Sequence, residues 1–318
     1  MFIATEMNRS LFFVSAGLLI CGADAYDHND HDVAILAERI KSVALPANIT
    51  KWFAGAKTSQ VAVNPFWPRG SALAAACFFS ADTGDKKYLD REAYLSFLYS
   101  ASFRDPIGLQ DFYDWIIAFD EVLAILDVNE DLLAQWLNYH YICGKRTLSW
   151  ETMLYAAADA ASDFYGAAVP AMSFAPNLLA AHNTDYVRLT DRIVTIAATP
   201  DVEGMLHETL HTTVADYREL ITAFASKHGM AGFADREKMI SYGYLVDDSA
   251  PAIAHVIEEC IVRAIAVVLA GKGEDRLRRH AELGCDSVPV IAAQFRASRP
   301  VASELGAFIK NLLAEEHI

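Results

Sequence analysis

Three scarcities bound this 318-residue chain before any motif is considered. Cysteine is sparse: Cys21, Cys77, Cys143, Cys260 and Cys285 occur at spacings that match no thiolate metal cluster. Cys77 (AAACFF) and Cys260 (EECIV) sit in apolar helical contexts, which suit buried thiols as well as they suit a single bridge. Positive charge is short as well: 26 Lys and Arg against 41 Asp and Glu give a net charge of -15, which argues against nucleic acid or an anionic membrane as partner. Long hydrophobic runs are missing too. The run from Leu11 to Gly22 is about a dozen residues, well short of the roughly 20 that a bilayer-spanning helix needs. With 16 glycines, 10 prolines and no low-complexity tract or repeat, nothing interrupts an ordinary folded chain.

The Leu11 run has its own reading. Arg9 precedes it and Ala23-Asp24-Ala25 follows, so residues 1–25 have the form of a secretory leader cleaved before Tyr26. Met7 is an alternative start, and bulky Ile20 disfavours lipoprotein processing at Cys21. Export to the periplasm or the exterior is the expectation. The remaining chain, in a sequence that is 53% hydrophobic, can bury a sizeable core as one large domain or two packed lobes.

Residues 26–160 read as mainly helical. Val33, Leu36, Ala37 and Ile40 mark a first helix ending near Pro46, and residues 111–126 and 132–142 mark strong later ones. Residues 64–70, with two prolines and a glycine, read as a loop. From residue 161 onward the texture changes. Residues 168–174 and 188–198 have extended, β-branched character and are separated by a turn-like cluster at 181–185, so two or more strands are expected, as an antiparallel pair. Residues 161–318 would form a second region, with closing helices at 288–295 and 301–313.

The stretch from Thr199 to Phe224 carries a pattern that packing alone explains badly. Thr199 reads as an N-cap, Pro200 fits the first turn, and Asp201 and Glu203 suit the positive end of the helix dipole. Val202, Met205, Leu206, Leu210, Val214, Tyr217, Leu220, Ile221 and Phe224 then recur at helical spacing. Within this apolar stripe stands His207-Glu208-Thr209-Leu210-His211. Residues four apart lie one turn above each other, so His207 and His211 can address one cation. Glu208, about 100° round the same turn, can polarise a metal-bound water as a base. Two histidines and a carboxylate among apolar neighbours are costly unless paired or ligated.

A catalytic zinc takes three protein ligands. The extended metzincin motif is absent, because Val214 and Tyr217 occupy the places of its glycine and third histidine. A carboxylate on a later helix remains, and residues 253–269 supply a charged patch of His255, Glu258, Glu259 and Arg263 in an apolar helix. Glu258 and Glu259 are both candidates there, and His255 is a weaker one.

With H-E-T-L-H at 207–211 and E-C-I-V-R-A from Glu259, the chain resembles the gluzincin zinc metallopeptidases, and within them a poorly characterised exported bacterial branch. The resemblance covers about residues 167–270. It implies an α+β, mainly α fold, with a zincin-like core, a small sheet beside the active-site helix and extra amino-terminal helices. It implies His207, His211 and Glu259 as zinc ligands, Glu208 as general base, and Arg263 as the partner that orients Glu259. Arg263 stands where many gluzincins carry an acidic residue, which is a departure from their pattern. Tyr242, Tyr244 and His255 are the candidates for donating to an oxyanion. The expected function is hydrolysis of a peptide or protein substrate with Zn2+. The competing expectation is an exported zincin-like binding protein without activity.

Overall fold

The structure is a computed structural model and describes residues 3–23, 25–57, 69–82, 87–100, 115–180, 184–241 and 248–314. It is mainly helical with a small mixed sheet of four strands. The chain divides into two compact units: one comprises Phe2–Thr152 and Ser173–Pro200, the other Met153–Met172 and Asp201–Ile318.

The amino-terminal unit contains β1 (Ile3–Thr5), α1 (Arg9–Ile20), α2 (His31–Lys41), α3 (Ala47–Lys57), α4 (Arg69–Ala76), β2 (Ser80–Asp82), β3 (Lys87–Leu89), α5 (Arg91–Ser100), α6 (Phe119–Asp127) and α7 (Glu130–Gly144). The division between the units falls within α8 (Thr147–Tyr165). The loop expected at 64–70 therefore gives way to helix by Arg69, and its earlier residues lie outside those described.

Helix α1 is apolar nearly all round, and such a helix is stable only when it is enclosed. Leu11, Phe12, Phe13, Val14 and Leu19 are accordingly buried. Glycine is required at position 17, where a Cβ would lie 2.1 Å from the Phe53 ring. The polar residues at the start of the segment are matched as well. Asn8 caps the helix by accepting from Leu11 N–H at 2.9 Å and donates to the Cys77 carbonyl at 3.2 Å. Arg9 pairs with Asp127 at 3.0 Å, and Arg192 holds the Glu6 carboxylate through two N–H groups at 2.5 and 2.9 Å. The segment with the form of a leader is thus built into the core of this unit.

The sheet runs in the order β1, β4 (Met172–Pro176), β6 (Ile193–Ala197), β5 (Asp185–Arg188). Strands β5 and β6 are antiparallel, with Val187 opposite Val194. The strand expected over 188–198 is split, because Leu189 N–H bonds the Arg192 carbonyl at 2.8 Å and closes a hairpin around polar Thr190 and Asp191. The antiparallel pair is this hairpin. Ala168, expected to begin the first strand, instead ends a 3-10 turn over Gly166–Ala168, and the strand starts at Met172.

Both inner strands are buried along their whole length, which demands cover on both faces. Ala175, Val187, Val194 and Ile196 share one core cluster with Leu11, Leu73, Leu98, Phe119 and Leu123. Residues 173–200 therefore group with the amino-terminal helices.

The second unit contains α9 (Val202–Val214), α10 (Arg218–His228), α11 (Arg236–Ser241), α12 (Ala250–Leu269), α13 (Glu274–Glu282), α14 (Val288–Ser298) and α15 (Leu305–Ala314). Helix α12 is its axis. Ser249 caps it by accepting from Ala252 N–H, and α9, α10, α13 and α14 pack around its apolar length. None of the five cysteines is in a disulfide, and Cys77, Cys143, Cys260 and Cys285 are buried thiols. Among the described residues no helix is long and apolar enough to cross a membrane.

Candidate metal centre

Helix α9 begins later and ends earlier than its apolar stripe predicts. Asp201, not Thr199, is the N-cap, because its carboxylate reaches Gly204 N–H at 2.9 Å. A 3-10 turn at Ala215–Tyr217 separates α9 from α10, so the stripe to Phe224 spans two helices. Within α9, His207 and His211 stand one turn apart with their Nε2 atoms separated by 3.0 Å. Glu208 and His211 are buried, and His207, Glu208 and His211 can present ligand atoms within 4.8 Å of one another.

Helix α12 brings both candidate carboxylates to this face, and they take different places. Glu259 Oε1 lies 3.1 Å from His211 Nε2, and Glu259 Oε2 lies 3.8 Å from His207 Nε2. A tetrahedral ion with ligands at about 2.0–2.2 Å holds its donor atoms roughly 3.3–3.6 Å apart. The separations of 3.0, 3.1 and 3.8 Å among the two imidazoles and Glu259 bracket that value, and the donor set of two nitrogens and an oxygen suits a borderline cation. Glu258 instead meets the far nitrogen of His211, with Oε1 at 2.7 Å from Nδ1. A carboxylate in that position fixes the ring of a ligating histidine and raises its basicity. Glu258 thus meets the nitrogen of His211 opposite the one that approaches His207 and Glu259.

Comparison with known proteins finds no match to a family model, to a curated protein or to a solved structure.

The electrostatics follow from burial and pairing. Burial acts to lower the basicity of His211, but hydrogen bonds to Glu258 and Glu259 outweigh it and hold the imidazolium well above its usual range. Burial pushes His207 well below that range, against the pull of Glu259. Glu259 is also opposed by burial, yet Arg263, His207 and His211 together hold its carboxyl well below the ordinary value. Arg263 does so directly, with Nε and Nη2 each 2.9 Å from Glu259 Oε2. His255, one turn before Glu259, has Nε2 at 3.8 Å from Glu259 Oε1 and a ring parallel to that of His211, and burial lowers its pKa.

The structure therefore assembles His207, Glu208, His211, His255, Glu259 and Arg263. Tyr242 and Tyr244 lie outside the described residues. Three participants in the surrounding network escaped the sequence reading. Glu203, read there as a helix-start charge, is 6% exposed and is bound by Arg276 and His280. Helix α13 carries mostly exposed charged residues, and Leu277 and His280, three apart, form its buried side. The spacing of Glu203 four residues before His207 was the available signal, since it puts both on one helix face.

Proposed function

We propose that this chain is a zinc-dependent peptide hydrolase with a zincin-like centre of the gluzincin type. The observation that carries the reading is the convergence of His207, His211 and Glu259 at 3.0–3.8 Å, with Glu258 behind His211 and Arg263 behind Glu259. Zinc held by His207, His211 and Glu259 supplies Lewis acidity toward a water and toward the scissile carbonyl. Glu208, in the same helical turn as His207, accepts the water's proton. The water oxygen bonds the carbonyl carbon, the C–N bond breaks with its electron pair going to nitrogen, and Glu208 returns the proton to the leaving amine. His255, whose pKa burial lowers, would donate an N–H to the carbonyl oxygen as charge develops there.

Metal analysis tests the centre. Purified protein is expected to hold one equivalent of zinc that is lost in His207→Ala, and no uptake after zinc loading would sink the reading. Glu208→Gln should retain zinc and lose about 10²–10⁴ in the rate of peptide hydrolysis. An unchanged rate would remove Glu208 as the base.

A further inference from the structure

Resting on the metal reading above, we infer that Glu203 and His280 are positioning residues that hold the metal-facing carboxylate of Glu259 through Arg263. Arg263 spends Nε and Nη2 on Glu259 Oε2, and its remaining nitrogen Nη1 lies 3.2 Å from His280 Nδ1. A guanidinium can only donate. His280 Nδ1 must therefore accept, and its ring proton sits on Nε2. That proton points at Glu203 Oε1, 3.0 Å away. Beyond it, Arg276 Nε lies 2.8 Å from both oxygens of Glu203 and closes the chain at the surface.

The chain connects three helices and returns to its origin. Glu203 is on α9 one turn before His207, His280 is on α13, and Arg263 and Glu259 are on α12. Glu203 and His280 are 6% and 4% exposed, so water does not substitute for either. Arg263 is partly buried on a long stem, and the bond from its Nη1 to His280 adds a tether beyond the two nitrogens on Glu259. Glu259 then keeps Oε2 on the guanidinium and Oε1 toward His211. The ionised Glu203 at the far end also supplies negative charge toward Arg263 when the charge of Glu259 is engaged by a cation.

Zinc titration of the full-length protein reads the effect. His280→Leu removes both bonds at similar volume, and zinc affinity should fall by about 10- to 100-fold. His280→Gln can accept from Arg263 with its oxygen and donate to Glu203 with its nitrogen, so it should restore affinity to near wild type. Glu203→Gln should fall between the two. A merely structural role would weaken neither variant's affinity in protein shown by circular dichroism to be folded. Equal affinity in wild type and His280→Leu overturns the inference while leaving the metal reading intact; a wild type that binds no zinc overturns both. Nitrogen-15 NMR of the metal-free wild type gives a second reading that needs no variant to fold. It should show His280 protonated at Nε2 and not at Nδ1, and the opposite tautomer breaks the chain.

Discussion

At Glu259 a carboxylate faces the imidazoles of His207, His211 and His255 and the guanidinium of Arg263, whereas its neighbour Glu258 bonds the far nitrogen of His211. Glu259→Gln should therefore cost the most in zinc affinity, and Glu258→Gln should cost about 10- to 100-fold by loosening His211. The reverse order, read by zinc titration, would exchange the two roles. His211 adds a pH dependence. Its pKa in the folded protein is raised, so in the metal-free state its pairing with Glu258 and Glu259 stabilises fully below the unfolded histidine value of about 6.5 and fades as pH rises through the folded value. Zinc needs the lone pair on Nε2 and must displace that proton. Zinc affinity is accordingly expected to climb with pH above about 6.5, with close to one proton released per ion, which calorimetry in buffers of different ionisation enthalpy measures. Pairing of the zinc affinity with no proton release would contradict the charged state assigned to His211.

Helix α9 owes its start to Asp201, and its register sets which way His207 and His211 point. Asp201→Ala should destabilise the second unit by about 1 kcal/mol, whereas exposed Thr199→Ala should change little; thermal unfolding separates them. The helix and its histidine pair were readable from the sequence because a four-residue spacing has one meaning on a helix. The break at Ala215–Tyr217 was not, since a short 3-10 turn lets the apolar stripe run on past the end of α9. The choice between Glu258 and Glu259 was equally closed to the sequence. Both are buried on α12, about 100° apart, and only the crossing of α12 with α9 decides which faces the histidines. His280 was hidden for a related reason: one buried histidine among exposed charges on α13 leaves little trace in composition.

At the scale of the molecule, the first twenty residues pose the sharpest contrast between pattern and packing. An apolar run behind Arg9 has a leader's form, yet β1 adds a strand to the sheet and α1 lies in the core, fixed by the Glu6–Arg192 and Arg9–Asp127 pairs. A protein beginning at Tyr26 should consequently lose cooperative unfolding in its amino-terminal unit, seen as lost hydrogen-exchange protection in β4 and α2. Full protection in such a protein would show that the unit stands without β1 and α1. The same unit is assembled from two separated stretches of chain, with β4, β5 and β6 arriving after α8. On a ribosome adding about 5–20 residues per second, the apolar face of α1 waits some 10–40 s before Val194 and Ile196 are made. Birth of this protein thus includes a long interval in which a greasy helix has no sheet to lie against, and its yield in a cell should depend on whatever chaperone shelters that helix while the remaining strands are still being translated.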